Sequence, residues 1–271
     1  MTLTLTILGC ASSGGVPRVG GVTQRERWGA CDPSNPKNKR SRCSVLLTRL
    51  GPDGAATRIV VDTGPDFRAQ MLTADVPHLD AVVYTHEHAD HLHGLDDLRP
   101  FALIQKMRIP VYMNERTFER ANQAFGYVFQ TPEGSSYPPI LERKSIDHDG
   151  QVSINGPGGL ITLRPIPVKH GDIQALGFRI GHLAYVPDVS DIPQASLSLL
   201  EGLDCLILDA LRYRPHGSHF NVERALEVHD QLGPKRTVLT NLHNDLDYET
   251  LLGETPDTVE PAYDGMQLDV R

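Results

Sequence analysis

Residues 85–91 read T-H-E-H-A-D-H, which places His86, His88, Asp90 and His91 on one short stretch of chain. Imidazoles and carboxylates crowded at a single turn repel when charged and desolvate one another. A divalent cation removes both penalties and fixes the geometry, so the quartet predicts a metal-binding turn. The flanks locate that turn. D-A-V-V-Y-T (80–85) is a short, apolar, β-branched run, the pattern of a buried strand, and L-H-G-L-D-D-L-R (92–99) reads as the start of a helix. The quartet therefore falls on a strand-to-helix turn at the carboxyl end of a strand, where α/β folds place their ligands.

The remaining periodicities predict an α/β chain. Residues 3–8 alternate in character and predict a first strand. A glycine-rich polar segment (9–42) follows, too long to be a mere connector. C-S-V-L-L-T-R (43–49) and T-R-I-V-V-D-T (57–63) predict a hairpin across G-P-D-G, and 65–73 a helix. A helix is expected over 114–125, capped by Asn114, with Phe118, Ala121 and Phe125 apolar. Strands are expected at 160–168, 174–180 and 182–186, after the G-P-G-G turn (156–159). L-D-C-L-I-L-D (203–209) predicts a buried strand, Asn221–Leu232 a helix capped by Asn221, and R-T-V-L-T (236–240) the last strong strand. No repeat, low-complexity tract or linker divides the chain, so one domain over 1–271 is expected, with two mixed sheets and helices outside them.

Composition excludes several classes. At 271 residues the chain can bury a core without staples. Cys10, Cys31, Cys43 and Cys205 are scattered with no C-x-x-C pair, which predicts reduced thiols in a cytoplasmic protein. I-L-G-C (7–10) resembles a lipoprotein cleavage site, but its apolar stretch is short, interrupted by threonines and not preceded by basic residues. No apolar run is long enough to span a membrane. Net charge is 26 − 34 = −8, a global field that argues against long RNA or DNA as a partner and leaves room for a small phosphorylated one. The sequence leaves the oligomeric state open, a homodimer included.

Further acids and histidines stand at strand ends. Asp62, His170, Asp188, Asp209, Asn241 and His243 each fall at or just past an apolar strand, and His219 lies just before a helix. Strand ends aimed at one rim predict that several of these join the quartet. Asp62 and Asp209 are best read as acceptors for the free N–H groups of ligand histidines. The S-S-G-G loop (12–15) serves equally as a tight turn or as a set of N–H donors for a phosphate. Arg18, Arg40 and Arg42 could add local positive charge, and Phe125, Tyr127 and Phe129 either pack the core or wall a pocket.

With H-x-H-x-D-H and the later His, Asp and His in order, the chain resembles the metallo-β-lactamase superfamily along essentially its whole length. That resemblance implies a four-layer αββα sandwich of two mixed sheets. It implies that His86, His88 and His170 hold one metal, that Asp90, His91 and a late residue hold a second, and that Asp188 bridges the two. L-G-C-A-S-S-G-G-V-P-R (8–18), R-S-R-C-S-V-L-L, D-T-G-P-D-F-R (62–68) and Y-D-G-M (263–266) are similar to one subgroup, the cyclic-phosphate phosphodiesterases of phosphonate degradation, related to the tRNA 3′-end endonucleases. In it a histidine like His219 sits over the metals as a catalytic residue. Two departures stand out. Thr240-Asn241 replaces the subgroup's Thr-His, leaving Asn241 as a weak late ligand, His243 in its place, or the second site partly vacant. Of three early cysteines that hold a structural zinc in the phosphonate enzyme, only Cys31 is present, so no such zinc is expected and His243 is free.

The chemistry expected is hydrolysis by a hydroxide bridging two divalent ions about 3.5–4 Å apart. Asp90 would orient it and His219 would protonate the leaving alkoxide. Zinc suits the histidines and manganese the Asp and Asn oxygens. The leading expectation is a phosphodiesterase acting on a small cyclic phosphate or nucleotide-type diester. The alternatives are a tRNA 3′-end endonuclease-like nuclease, a non-catalytic cofactor-biosynthesis accessory or carrier, and a thioester or lactone hydrolase.

Overall fold

The computed structural model describes residues 2–146 and 150–270. The alternating start of the chain forms strand Thr2–Gly9 (β1), and the expected hairpin forms Ser44–Leu50 (β2) and Ala56–Val61 (β3). Ala81–Val83 (β4), Ile109–Met113 (β5) and Leu141–Ser145 (β6) follow. Next come Val152–Gly156 (β7), Gly159–His170 (β8), Ile173–Ile180 (β9) and Leu183–Val186 (β10). Cys205–Asp209 (β11), Arg236–Thr240 (β12), Val259–Pro261 (β13) and Gln267–Val270 (β14) complete the strands. The helices are Gln24–Trp28 (α1), Phe67–Thr73 (α2), Ala89–Leu92 (α3), Arg99–Gln105 (α4), Glu115–Phe125 (α5), Gln194–Leu197 (α6), Val222–Leu232 (α7) and Tyr248–Glu254 (α8).

Two seven-stranded mixed sheets result, ordered β14-β1-β2-β3-β4-β5-β6 and β13-β12-β11-β10-β9-β8-β7. Between them Leu5, Ile7, Val45, Val61 and Val83 meet Leu163, Phe178, Tyr185, Ile207 and Val238. Side chains alternate faces along a strand, so the neighbours Val60, Val82 and Val111 point outward, where Phe67, Met71, Leu92 and Leu98 cover them. On the opposite side Val222, Ala225 and Val228 of α7 cover Leu206, Leu208 and Leu239. Strands apolar on both faces thus produce the expected αββα layering.

Direction within the sheets sets the active rim. Strands β3, β4 and β5 run parallel, as do β10, β11 and β12. Their carboxyl ends therefore open along one edge of each sheet. A backbone bond from the Leu176 N–H to the Thr85 carbonyl (3.0 Å) joins the two sheets at that edge.

Several expectations change. The helix expected from residue 92 is broken into α3, a 3-10 turn at Leu95–Leu98, and α4, which starts at Arg99 with Pro100 in its first turn. Strands β5, β6 and β7 and the elements after residue 246 were not expected. They are short, and L-E-R-K-S of β6 lacks any apolar run. Arg40 does not supply surface charge. It is buried, donating to the Leu246 carbonyl (2.8 Å), Asn38 Oδ1 (3.0 Å) and the Lys37 carbonyl (3.2 Å), and so pins the long 9–42 segment to the chain's end. Arg42 pairs with Asp66 at 2.9 Å. Phe125 and Phe129 pack against the outer core.

The metal turn is clamped onto D-T-G of 62–64. Thr63 N–H donates to the His91 carbonyl (2.8 Å) and Gly94 N–H to the Thr63 carbonyl (2.7 Å). A Cβ on Gly64 would be driven into the Asp90 carbonyl oxygen. Gly64→Ala is therefore expected to cost at least about 2 kcal/mol, roughly 4–8 °C in Tm, because backbone rather than a flexible side chain must yield. Thermal unfolding checks this; a variant within 1 °C or so of the parent would mean the turn is not held against Gly64.

Candidate metal centre

His86 stands three residues past the end of β4, and Thr85 before it sets its ring. Thr85 Oγ1 donates to Asp62 Oδ2 (2.7 Å) and lies 2.9 Å from His86 Nδ1, whose N–H it accepts. Nε2 of His86 is then left buried with no hydrogen-bond partner. His91 repeats the device: its Nδ1 donates to Asp62 Oδ2 (2.7 Å), freeing Nε2. His170, at the end of β8, donates Nδ1–H to the Ser218 carbonyl (2.6 Å). Three rings thus have one nitrogen tied and the other turned to a common point, the arrangement in which outer acceptors orient metal-ligating imidazoles.

The free atoms converge. His170 Nε2 lies 3.1 Å from His88 Nδ1, and His91 Nε2 lies 3.1 Å from Asp188 Oδ2 and 3.7 Å from Asp90 Oδ2. Asp188 Oδ2 makes no hydrogen bond despite that proximity. Two lone-pair-bearing ligand atoms side by side, both out of water, carry a desolvation cost that a cation would remove. Three groups have ligand atoms within 4.8 Å of one another: His86–His88–His170, His86–His91–Asp188 and His170–Asp188–His219. Nitrogen and carboxylate donors in such groups fit a divalent transition ion.

Electrostatics agree. Burial holds His86 well below the ordinary imidazole range and lowers His170, keeping both neutral as ligands require. Burial also pulls His91 down, but Asp188, Asp62 and Asp90 together raise it well above its usual range. That spot favours positive charge.

Asp62 and Asp209 are both fully buried, and each accepts a hydrogen bond from a histidine, Asp62 from His91 and Asp209 from His219. Asp62 also accepts the Thr85 N–H (2.8 Å) and adopts φ 66°, a left-handed conformation that Asp tolerates better than most residues. Asp209, at the end of β11, accepts His219 Nδ1–H (2.8 Å) and the Val189 N–H (3.0 Å). His219 therefore presents Nε2 to the cavity it lines. Burial opposes a proton on His219, but the bond to Asp209 and the charges of Asp209, Asp188 and Asp90 raise its pKa.

Of the two candidates for the late ligand, His243 stands outside the three groups. Asn241, at φ 61° after β12, directs its Nδ2 to Asp209 Oδ1 (3.1 Å) and Asp188 Oδ1 (3.4 Å). In this arrangement the Asn241 amide ties the two carboxylates together, and its Oδ1 lies 4.0 Å from Cys43 Sγ. His243 bonds Asp245 through Nδ1 (2.9 Å) at the cavity rim. Asp90 also stands outside the groups, on the cavity wall. The roles of Thr85, Arg212 and the Ser218 carbonyl escaped the sequence reading; only Thr85, adjoining the histidines, carried a local signal.

The cavity above these residues measures about 370 Å³. Among its lining residues only Leu211 is apolar, while Arg18 and Arg212 bring positive charge. A larger recess of about 810 Å³, beside α2 on the outer face of the first sheet, contains none of the ligand groups.

Residues 57–241 match the family model described as the Beta-lactamase superfamily domain. A solved structure described as a new diphosphatase from the PhnP family is similar at 35% identity and TM-score 0.86, covering 99% of this chain and 97% of that one. A Porphyromonas gingivalis (strain ATCC BAA-308 / W83) protein named Octanoyltransferase is 32% identical over 265 residues, 96% of this chain and 50% of that protein. The chain thus spans about half the length of that curated relative. Human short-form tRNase Z shares the fold at 17% identity and TM-score 0.61, each chain covered to 99%.

Proposed function

The chain belongs to the beta-lactamase superfamily, and on that premise we propose that it is a metal-dependent phosphodiesterase acting on a small cyclic phosphate or nucleotide-type diester. The observation that carries this reading is the convergence of His86, His91 and His170 Nε2 on Asp188 beneath a polar, arginine-bearing cavity. Two divalent ions, zinc or manganese, would be held by His86, His88 and His170 and by His91, Asp90 and Asp188, with Asp188 shared. When bound they supply Lewis acidity and an activated water.

The chain's own residues do the rest. Asp90, on the cavity wall, orients the attacking water. Arg18 and Arg212 offset the substrate's negative charge. His219, held by Asp209 through Nδ1, carries at Nε2 the proton that the leaving alkoxide needs. Asp62 and Thr85 keep His86 and His91 in the tautomer that exposes Nε2.

A second reading has one observation behind it, the relative named Octanoyltransferase: the same centre could cleave an acyl thioester. An octanoyl chain needs an apolar groove, and the single leucine of this cavity does not provide one. A substrate panel on protein reloaded with Zn²⁺ or Mn²⁺ separates the two. Bis-p-nitrophenyl phosphate and 2′,3′-cyclic nucleotides are expected to turn over at least about 100-fold faster than octanoyl thioesters, a gap of roughly 2.7 kcal/mol in barrier. Preference for the thioester, or full metal content with no turnover of anything, ends the proposal. Among the described residues no helix is long and apolar enough to cross a membrane.

A further inference from the structure

Strand β12 ends at Thr240, and Asn241 follows it onto the cavity wall at φ 61° and 2% exposed. Its amide is matched at both ends. Nδ2 donates to Asp209 Oδ1 (3.1 Å) and Asp188 Oδ1 (3.4 Å), while Oδ1 faces the buried Cys43 thiol at 4.0 Å. Turned over, the amide would set its oxygen against two carboxylate oxygens and its N–H groups against a thiol that is itself a weak donor. The backbone on either side is anchored as well. The Ala210 N–H donates to the Thr240 carbonyl (3.0 Å), and the Leu242 N–H to the Cys10 carbonyl (2.8 Å).

The consequence falls on the second ion. On the proposed reading His86, His88, His170 and Asp188 offer the first ion four donors, three of them imidazoles. For the second, among the described residues, His91, Asp90 and the shared Asp188 remain, since His243 is tied to Asp245 (2.9 Å) at the rim. The Asp90 side chain is 19% exposed, against 4% for Asp188, so water competes for it. Asn241 adds no oxygen in this orientation. Its N–H bonds instead offset part of the negative charge on Asp188 and Asp209 that would draw a cation. Offering Oδ1 to an ion means reversing the amide, which breaks both bonds and leaves two buried carboxylate oxygens to be satisfied by the ion alone.

We propose that Asn241 makes the second divalent ion a weakly held, exchangeable one. The two ions then load in sequence, and turnover follows the free divalent-ion concentration while the first ion stays bound. This rests on the two-ion phosphodiesterase reading and adds a means of regulation to it.

The full chain, stripped with chelator and dialysed against graded Mn²⁺, tests it by metal analysis and electron paramagnetic resonance, which separates an isolated Mn²⁺ from a coupled pair. The parent should bind one tight equivalent and a second at least about 100-fold weaker, since losing even an outer partner of a metal site typically costs about 10–100-fold. Asn241→Asp is nearly isosteric, tolerates the left-handed backbone and replaces the N–H donor by a carboxylate oxygen. It should tighten the second equivalent about 10–100-fold and show the coupled pair at lower Mn²⁺. Asn241→His, another residue that accepts positive φ, should shift the second equivalent in the same direction with Zn²⁺. Native circular dichroism and an unchanged first equivalent certify the fold of each variant. Two equivalents of equal affinity in the parent, or a second equivalent that no folded variant tightens, overturn the inference. Should the parent load two ions unequally yet hydrolyse no diester, the phosphodiesterase reading fails and the unequal pair stands. Turnover with two equally held ions is the reverse result.

Discussion

Asp188→Asn will cost on the order of 10⁴ in kcat/KM toward a phosphodiester and will strip the protein of metal, a barrier change of about 5.5 kcal/mol. Outer partners of a metal site typically cost 10–100-fold when removed. On the proposed reading Asp188 is a direct ligand: it belongs to two of the three potential ligand groups and lies 3.1, 3.7 and 3.8 Å from His91, His219 and His170. The isosteric amide keeps the volume of a side chain that is 4% exposed, so packing is preserved while the charge that gathers the cations is lost. Metal bound to the native state alone stabilises it by mass action, about 2.7 kcal/mol at a hundredfold excess over Kd. In a chain of this size that is roughly 5–10 °C of Tm. The variant should lose this metal-dependent increment while its far-UV circular dichroism stays native. Metal analysis, thermal unfolding with and without chelator, and turnover provide the readouts. A variant that keeps its full metal complement and works within tenfold of the parent would remove Asp188 from the centre.

How much of this site the sequence disclosed follows from the distance over which each residue acts. His86, His88, Asp90 and His91 are local: their crowding is visible in the chain and predicts a cation site wherever the chain goes. His170, Asp188 and Asp209 were legible at one remove, because each closes an apolar run and parallel strands bring such ends to one rim. The orienting bonds were not legible. His170 is set by the carbonyl of Ser218, 48 positions away, and the long first loop is pinned by Arg40 to Leu246 across 206 positions. No periodicity encodes contacts of that reach. The same holds for Asn241. That its amide donates to two carboxylates depends on a left-handed backbone that only the folded strand end reveals. The fold followed the same rule: long apolar strands were found, and short polar ones such as β6 were missed because edge position, not composition, makes them strands.

His219→Gln is the variant that separates acid catalysis from metal binding, and it should slow hydrolysis of an alkyl diester by about 10²–10⁴. The expected effect depends on the leaving group. Cyclic nucleotides expel a sugar alkoxide, a strong base that needs a proton in the transition state. A p-nitrophenyl ester expels a stable phenolate that does not. If His219 Nε2 delivers that proton, the loss on bis-p-nitrophenyl phosphate should stay below about tenfold while the loss on the cyclic substrate is full. Asp209→Asn should reproduce the pattern more weakly, about 10–100-fold, because it removes the acceptor that fixes the imidazole's tautomer and not the acid itself. Metal content decides the competing role. His219 shares a potential ligand group with His170 and Asp188, so a ligand function would show as metal loss in His219→Gln and equal damage to both substrates. Retained metal with a leaving-group-dependent loss assigns the proton to His219; parallel loss of metal and rate withdraws that role and makes it the late ligand in Asn241's stead.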